Sequence, residues 1–511
     1  MVERNLTALL RATQVDAQHG TLPQAPLTAL RQDSRDIQPG DCFVAVPGFT
    51  VDGHSFLDQA VGAGAVALVV QADHAPTWNA HQAGEVPLIV VPDTRIALAD
   101  LAAAFHDFPA RKLTVIGVTG TDGKTTTTYL LQSILEAAGR PCGLIGGVEF
   151  KVGDDWRMNT LTQTSPEADR IQGLLAEMVE AGQTHVVMEA TSHGLALHRH
   201  DHCEFDIAVF TGLSDDHLDF HGDRESYLDA KLNLFRALDS ASDKGVAKTG
   251  VAPQNDPHLD AIHGATSAPI LSFGLENQGN DISASDLVAG PRGTAFRVVF
   301  AGGALGTNLR LPAQFNVRNA LAATGAAVAL GVPIGPIADG IAALPGVPGR
   351  MEQIDAGQPF QVIVDAAATE AALRTVLQDL RPLLQGRLIV VFGCAGERDI
   401  ARGEGMGRVA AEFADYSVLT NENPRSADPQ EIVAAIANAM RDAGAKAGVD
   451  FEEAADRREA IARGFDRATA NDLVLVAGKG AEQTMIFADH TDSWDDRDVV
   501  RDLLRHNGYS A

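Results

Sequence analysis

The stretch Leu113-Thr-Val-Ile-Gly-Val-Thr-Gly-Thr-Asp-Gly-Lys-Thr-Thr-Thr-Thr128 constrains this chain more than any other. A β-branched apolar run gives way to Gly120-Thr-Asp-Gly-Lys-Thr125, and an amphipathic helical pattern follows. Strand, glycine-rich turn and helix in that order build a phosphate cradle. The glycines let backbone N–H groups turn toward an anion, the helix N-terminus adds partial positive charge, and Lys124 adds a full one. Gly120, Thr121, Asp122, Gly123, Lys124, Thr125 and Thr126 are therefore expected to hold ATP, with the Thr125 hydroxyl on Mg²⁺. The usual phosphate-loop signature has a Gly five residues before Gly123; Val118 stands there, so the shorter form narrows the choice.

At about 150 residues per domain, a 511-residue chain predicts about three domains. Residues 1–112 read as a small α/β unit, with short strand patterns within 27–46, 65–70 and 87–91 and with Ser34 and Arg35 between strands. In residues 113–347, Thr184–His193 and Phe205–Asp219 are apolar runs that end in polar groups. They put Glu189 and His217 at strand carboxyl ends, the edge where open parallel sheets hold ligands. Thr125, Glu189 and His217 are expected to meet at one Mg²⁺, the oxygens as hard donors and the imidazole as a less usual one. The plainer alternative is a helix-cap partner and a structural histidine. His198-Arg-His-Asp-His202 has no second ligand cluster, so an exposed loop is expected there in place of a zinc site.

Residues 348–511 repeat the strand–helix alternation, with strands at 361–365, 388–392, 416–420 and 473–477. Their carboxyl ends carry Asp365, Gly396-Glu-Arg-Asp399, Asn421-Glu-Asn-Pro-Arg425 and Gly478-Lys-Gly-Ala-Glu482. The fold class is α/β, with a central parallel sheet and a second doubly wound sheet behind it. Gly274–Gly306 is a β-like excursion without a readable role. An apolar content of 45% with no run long enough for a bilayer, no signal-peptide pattern at the start and four scattered cysteines predict a soluble cytoplasmic protein. No membrane partner is expected, and the chain is expected to be a monomer. A net charge of −27 argues against nucleic acid as a partner, because phosphate backbones need basic patches.

Asp33-Ser-Arg35, the phosphate loop, Glu189-Ala-Thr-Ser-His-Gly-Leu195 with Arg199, Asp216-His-Leu-Asp-Phe-His-Gly222 and Tyr227-Leu-Asp-Ala-Lys231 together resemble the Mur ligases. So do Phe315-Asn-Val-Arg-Asn319, Gly349-Arg-Met-Glu352, Asn423-Pro-Arg425 and Gly478-Lys-Gly480, so that the resemblance spans nearly the whole chain. It implies a UDP-sugar-binding domain (1–112), a central ATP-binding domain (113–347) and a C-terminal Rossmann-like domain that receives an amino acid (348–511). It also implies that Ser34 lies near the uridine, that Thr164, Ser165, Ser192 and Arg199 meet the muramoyl-peptide, and that Asn316, Arg350 and Asp365 approach the nucleotide. Lys231, an ordinary helical lysine on sequence grounds, is implied to be carbamylated and to help hold a second Mg²⁺. Lys124, Lys231 and His217 are the implied catalytic residues.

The implied activity is ATP-dependent addition of the third peptide residue to UDP-N-acetylmuramoyl-L-alanyl-D-glutamate through an acyl phosphate. The resemblance ties the Arg of this motif to meso-diaminopimelate, with Arg398 and Arg425 clamping its carboxylate beside Asn423 while Gly478 and Glu482 accept the distal ammonium. Lysine and ornithine stay open, because Glu422 stands where the family has Asp and is a carboxylate able to pair with Arg425. Other departures are Ala366, Ala368 and Glu370 in place of Tyr, His and Pro, Ala481 in place of His, and Ala401-Arg-Gly-Glu404 in place of a Lys-Arg-Pro stretch. They bear on nucleotide positioning and domain closure, and they leave open a degenerate non-catalytic homologue. An amide ligase for another acid, such as a folate-polyglutamate type, is a further alternative, against which Asp33-Ser-Arg35 speaks.

Overall fold

The computed structural model describes residues 4–49, 51–74, 86–161, 163–276, 279–396 and 400–509. Val115, Ile116 and Val118 make Thr114–Thr119 a strand buried on both faces, and it lies inside an eleven-stranded sheet. His185–Glu189 and Ile207–Phe210 flank it in parallel, with Glu189 opposite Val118 and Phe210 opposite Thr119. Three carboxyl ends are thereby level at one edge of the sheet.

Helices Lys124–Ala137, Gln314–Ala329 and Ile334–Ala343 cover one face, and Ala168–Glu180 and Arg224–Ser240 cover the other. Burial on both faces is why these strands read as continuous apolar runs without alternation. Antiparallel strands close the two ends. One is the hairpin Glu149–Val152/Asp155–Met158; the other is the meander Ile282–Gly290, Gly293–Phe300 and Gly303–Leu309. This meander is the excursion whose role the sequence did not disclose. It braces the helical face, with the Thr307 hydroxyl donating to the Ala338 carbonyl at 2.7 Å.

The N-terminal unit is a five-stranded sheet in the order Ala17–His19, Leu88–Val91, Ala67–Gln71, Cys42–Val44, Leu30–Arg31. The C-terminal unit is a six-stranded sheet in the order Glu352–Gln353, Gln361–Asp365, Leu473–Ala477, Leu388–Cys394, Tyr416–Asn421, Phe451–Glu453. A separate hairpin, Thr484–Ile486/Thr491–Ser493, follows it. In these two units the strands missing from the sequence reading have two or three residues, too short to show a period; in the central sheet it also missed Cys142–Ile145, Thr249–Pro253, Ile270–Gly274 and the hairpin Glu149–Val152/Asp155–Met158. The central and C-terminal units share an apolar core: Val317 and Leu321 belong to one buried cluster with Leu373 and Leu377, and the Phe315 N–H donates to Asp379 at 3.0 Å. Among the described residues no helix is long and apolar enough to cross a membrane.

Candidate active site

The phosphate loop has the predicted form. Gly120 and Gly123 have φ of +144° and +85°, and a Cβ on either would stand 2.0 Å from the Thr211 Oγ1 and 2.4 Å from the Asn319 Oδ1 respectively. Only glycine fits these two positions, so the turn is tight by construction. Lys124 heads the helix and folds back over the loop, its Nζ donating to the carbonyls of Gly120 (3.0 Å) and Thr121 (2.7 Å). Thr125 and Thr126 are buried in the first turn. Asp122 holds the loop to the neighbouring strand end, its carbonyl accepting from the Thr211 hydroxyl at 2.5 Å.

Lys231 is the residue whose environment the sequence least foretold. It is 1% exposed, its Nζ donates to the same Gly120 carbonyl at 2.8 Å, and it lies 4.3 Å from the Tyr227 ring centroid. Burial, reinforced by the Lys124 charge, holds its amine well below the usual lysine range. His217 begins the short helix Leu218–His221 in a left-handed conformation, φ 53°. Its Nε2 lies 3.4 Å from an Asp216 carboxylate oxygen, and burial lowers its pKa while Asp216 opposes that. Lys124 and Lys231 share the Gly120 carbonyl, and the His217 ring lies 6.2 Å from the Tyr227 ring on which Lys231 packs, so the structure brings these three residues together.

Glu189 is on the other side of the phosphate-loop strand. It is buried, and its Oε1 accepts from the Gly147 N–H at 2.8 Å. Gly147 in turn packs on Thr164. Of the four expected metal ligands, Thr125 and Glu189 offer the hard oxygens that Mg²⁺ prefers, whereas the Lys231 amine and the Asp216-associated His217 offer nitrogen. Ser165 (1% exposed) is the centre of a hydroxyl network. It donates to the Glu189 carbonyl at 3.2 Å, accepts from Thr191 Oγ1 at 2.9 Å and lies 3.1 Å from His200 Nε2. Arg199 donates to the Ser165 carbonyl at 3.2 Å and pairs with Glu167 at 2.6 Å, and Ser192 is buried beside them. The His198–His202 segment is therefore not the exposed loop expected. Arg199 and His200 are 5% exposed, and burial pushes the His200 pKa down to about 3, because the turn folds inward onto the network. Thr191, one residue before the named Ser192, caps that short helix and makes the contact to Ser165. Ser34 is buried in the N-terminal unit, in the turn Ser34–Asp36.

The C-terminal unit faces the central unit across a cleft of about 1870 Å³ lined from both sides, Thr164 and Gly147 on one and Arg350, Asn423, Arg425, Gly478 and Glu482 on the other. Asp365, at a strand end, accepts from the N–H groups of Met351 (2.8 Å) and Ala367 (2.9 Å). Burial raises its pKa, Arg350 opposes, and the Asp122 charge reaches it from the phosphate loop. Asn316 joins the loop indirectly through Asn319, which donates to Asn316 Oδ1 at 3.2 Å. The three-residue spacing of the two Asn on one helix face was the available signal. Ala366, Ala368 and Ala481 all line the cleft, so three of the departures from the family pattern gather in one place. Arg402, within the altered Lys-Arg-Pro stretch, reaches the central unit and lies 3.5 Å from Asp216.

Two carboxylates at this edge have surroundings that the sequence did not show. Glu482 already holds a cation: Lys479 Nζ donates to it at 2.8 Å and to Asn423 Oδ1 at 3.0 Å. Glu422 is buried under Gly478, where a Cβ would meet its Oε1 at 2.1 Å, and the charges acting on it are those of Arg457, Glu482, Lys479 and Asp496. Its longer side chain turns inward, away from the role of a surface partner for Arg425. Burial raises its pKa to about 8. Arg398 lies outside the described residues.

Three successive stretches match the Mur ligase family, catalytic domain (residues 26–106), the Mur ligase middle domain (118–327) and the Mur ligase, glutamate ligase domain (349–480). The UDP-N-acetylmuramyl-tripeptide synthetase of Roseiflexus sp. (strain RS-1) is 42% identical over 489 residues, 94% of each chain. The UDP-N-acetylmuramoyl-L-alanyl-D-glutamate--2,6-diaminopimelate ligase of Geobacillus thermodenitrificans (strain NG80-2) is 40% identical over 482 residues, 94% of this chain and 95% of that one. A solved structure of a UDP-N-acetylmuramoyl-L-alanyl-D-glutamate--2,6-diaminopimelate ligase superposes with a TM-score of 0.66 at 29% identity, covering 98% of this chain and 99% of the other. With a phosphate loop, a facing C-terminal sheet edge and relatives of this similarity along nearly its full length, this chain belongs to the Mur ligase family.

Proposed function

We propose that this chain is the ligase that adds a diamino acid, meso-diaminopimelate, to UDP-N-acetylmuramoyl-L-alanyl-D-glutamate at the cost of ATP in peptidoglycan precursor synthesis. The observation that carries the reading is the cleft itself, with Gly147 and Thr164 on one wall, Gly147 donating to the Glu189 carboxylate, and Asn423, Arg425 and Gly478 on the other. The relatives named for this reaction, alike over the whole chain, support it. Residues 1–112 would hold the UDP end, 113–347 the ATP and 348–511 the incoming amino acid.

A carboxylate is a poor acyl donor, so the γ-phosphoryl group passes first to the D-glutamate carboxylate, and the amine then displaces phosphate. In this reading Lys124 leaves the two loop carbonyls it now contacts and sets its charge against the transferring phosphoryl group. Mg²⁺, when bound through Thr125 and Glu189, supplies further charge neutralisation at the phosphates. Lys231 takes its place as a carbamate. Only an unprotonated amine adds CO₂, releasing a proton, and its burial beside Lys124 favours that form. The carbamate then offers an anionic oxygen of the kind Mg²⁺ prefers. Ser165, Thr191 and Arg199 position the muramoyl-peptide, and Arg425 receives the distal carboxylate of the amino acid.

The test is ADP release with the UDP-linked dipeptide and, in turn, meso-diaminopimelate, lysine and ornithine. Release that depends on the dipeptide, with the highest kcat/KM for meso-diaminopimelate, is expected. An equal or higher kcat/KM for lysine or ornithine would show that Arg425 does not read a carboxylate.

A further inference from the structure

Arg457 and Asp496 touch none of the residues assigned to phosphate transfer, yet they form the most deeply buried ion pair among the described residues, with side chains 1% and 0% exposed. Arg457 Nε and Nη2 donate to the two Asp496 oxygens at 2.8 and 2.6 Å. The same guanidinium has two further acceptors. Nη1 donates to the Asn421 carbonyl at 3.1 Å, and Nη2 to the Ala477 carbonyl at 3.0 Å.

Those two carbonyls close the parallel strands Tyr416–Asn421 and Leu473–Ala477. The next residue of each begins a loop of the amino-acid pocket: Glu422-Asn-Pro-Arg425 after one, Gly478-Lys479 after the other. Asp496 belongs to the last helix, Asp496–His506, which walls the same cleft, and it also accepts from Trp494 Nε1 at 2.9 Å. One planar fork therefore ties three separate walls of the pocket together. Lysine, a point donor, has no such reach.

We propose that Arg457, held by Asp496 and Trp494, is a positioning residue for the incoming amino acid: it fixes the spacing between the Asn423–Arg425 loop and the Gly478–Lys479 loop. The proposal rests on the reading that this edge receives the amino acid. A buried ion pair kept solely for stability is a poor bargain, because desolvation cancels most of its Coulombic gain. Its placement across two pocket-forming strand ends is what distinguishes it from a filler of the core.

Steady-state kinetics of the full chain, with meso-diaminopimelate and the UDP-linked dipeptide varied separately, decide the matter. Arg457→Lys should raise KM for the amino acid tenfold or more while leaving KM for the dipeptide within threefold. Trp494→Phe, which removes one donor to Asp496 and keeps an aromatic ring at a position that itself lines the cleft, should raise the amino-acid KM about threefold. If Arg457→Lys does not fold, Trp494→Phe and Asp496→Asn carry the test, and an unchanged amino-acid KM in both overturns the proposal. So does a folded Arg457→Lys whose amino-acid KM stays within twofold of the parent, or one that loses kcat alone. Arg425→Ala is the control for the underlying reading. If it too leaves the amino-acid KM unchanged, the pocket is misplaced; if it raises that KM while Arg457→Lys does not, only the positioning role fails.

Discussion

The phosphate-loop edge of the central sheet and the facing edge of the C-terminal sheet are both carboxyl ends of parallel strands, but they are built in opposite ways. The first is a backbone device. Gly120 and Gly123 shape it, Thr211 and Asn319 leave no room for a Cβ, and its two lysines share one carbonyl acceptor. The second is a side-chain device, in which Asn423, Arg457, Lys479, Glu482 and Asp496 interlock in and beneath the loops. A local motif suffices for the first; the second exists only after the chain has brought five separated residues together.

The largest effect should come from Lys124→Ala, which removes the full positive charge that the loop itself contributes. About 3 kcal/mol of barrier, a hundredfold or more in kcat, should be lost with folding unchanged; near-parental turnover would break the comparison at its stronger side. Arg425→Ala should act on the other side alone. The loss of one charged hydrogen-bonding group, about 2 kcal/mol, should raise KM for meso-diaminopimelate roughly thirtyfold with little change in KM for ATP.

Arg402→Ala sharpens how the two edges meet. The Arg402–Asp216 pair joins the units at 3.5 Å, but Arg402 is 38% exposed, so no more than about 1 kcal/mol is at stake. A fall in kcat of at most about fivefold is expected, with the ATP dissociation constant unchanged by titration.

Glu422→Gln should give the smallest effect, seen in stability. The Glu422 pKa is raised in the folded protein, from 4.5 to about 8, so folding takes up a proton between those values. Its stabilising contribution is complete below about pH 4.5 and is lost as pH rises through about 8. The Tm of the Gln variant relative to the parent should therefore climb from pH 5 to pH 8.5. A Tm difference independent of pH would mean that Glu422 is ionised throughout.

What could be read from the sequence follows the same division. Glu189 could be placed because an apolar run ends at that polar residue, His217 because a polar loop follows the strand Ile207–Phe210, and the cradle because its glycines and lysine are contiguous. Lys231 could not be recognised physically: nothing in Tyr227-Leu-Asp-Ala-Lys231 shows that this lysine faces Gly120 inside the protein. Nor could Arg457, which lies among exposed charges on Arg457–Arg467 and looks like one more solvated arginine. The inward turn of His198–His202 was missed because spacing reports ligand patterns and not burial. The Lys479–Glu482 pair was missed because Lys479, three residues earlier, was read only as part of a glycine-rich loop.

The most direct measurement is trapping of the acyl phosphate, by borohydride reduction, after mixing enzyme, ATP and the UDP-linked dipeptide with no amino acid present. If activation belongs to the phosphate-loop edge and acceptance to the C-terminal edge, the parent and Arg425→Ala should yield the reduced product in similar amounts and Lys124→Ala almost none. Loss of the trapped product in Arg425→Ala, or its persistence in Lys124→Ala, would contradict that division of labour.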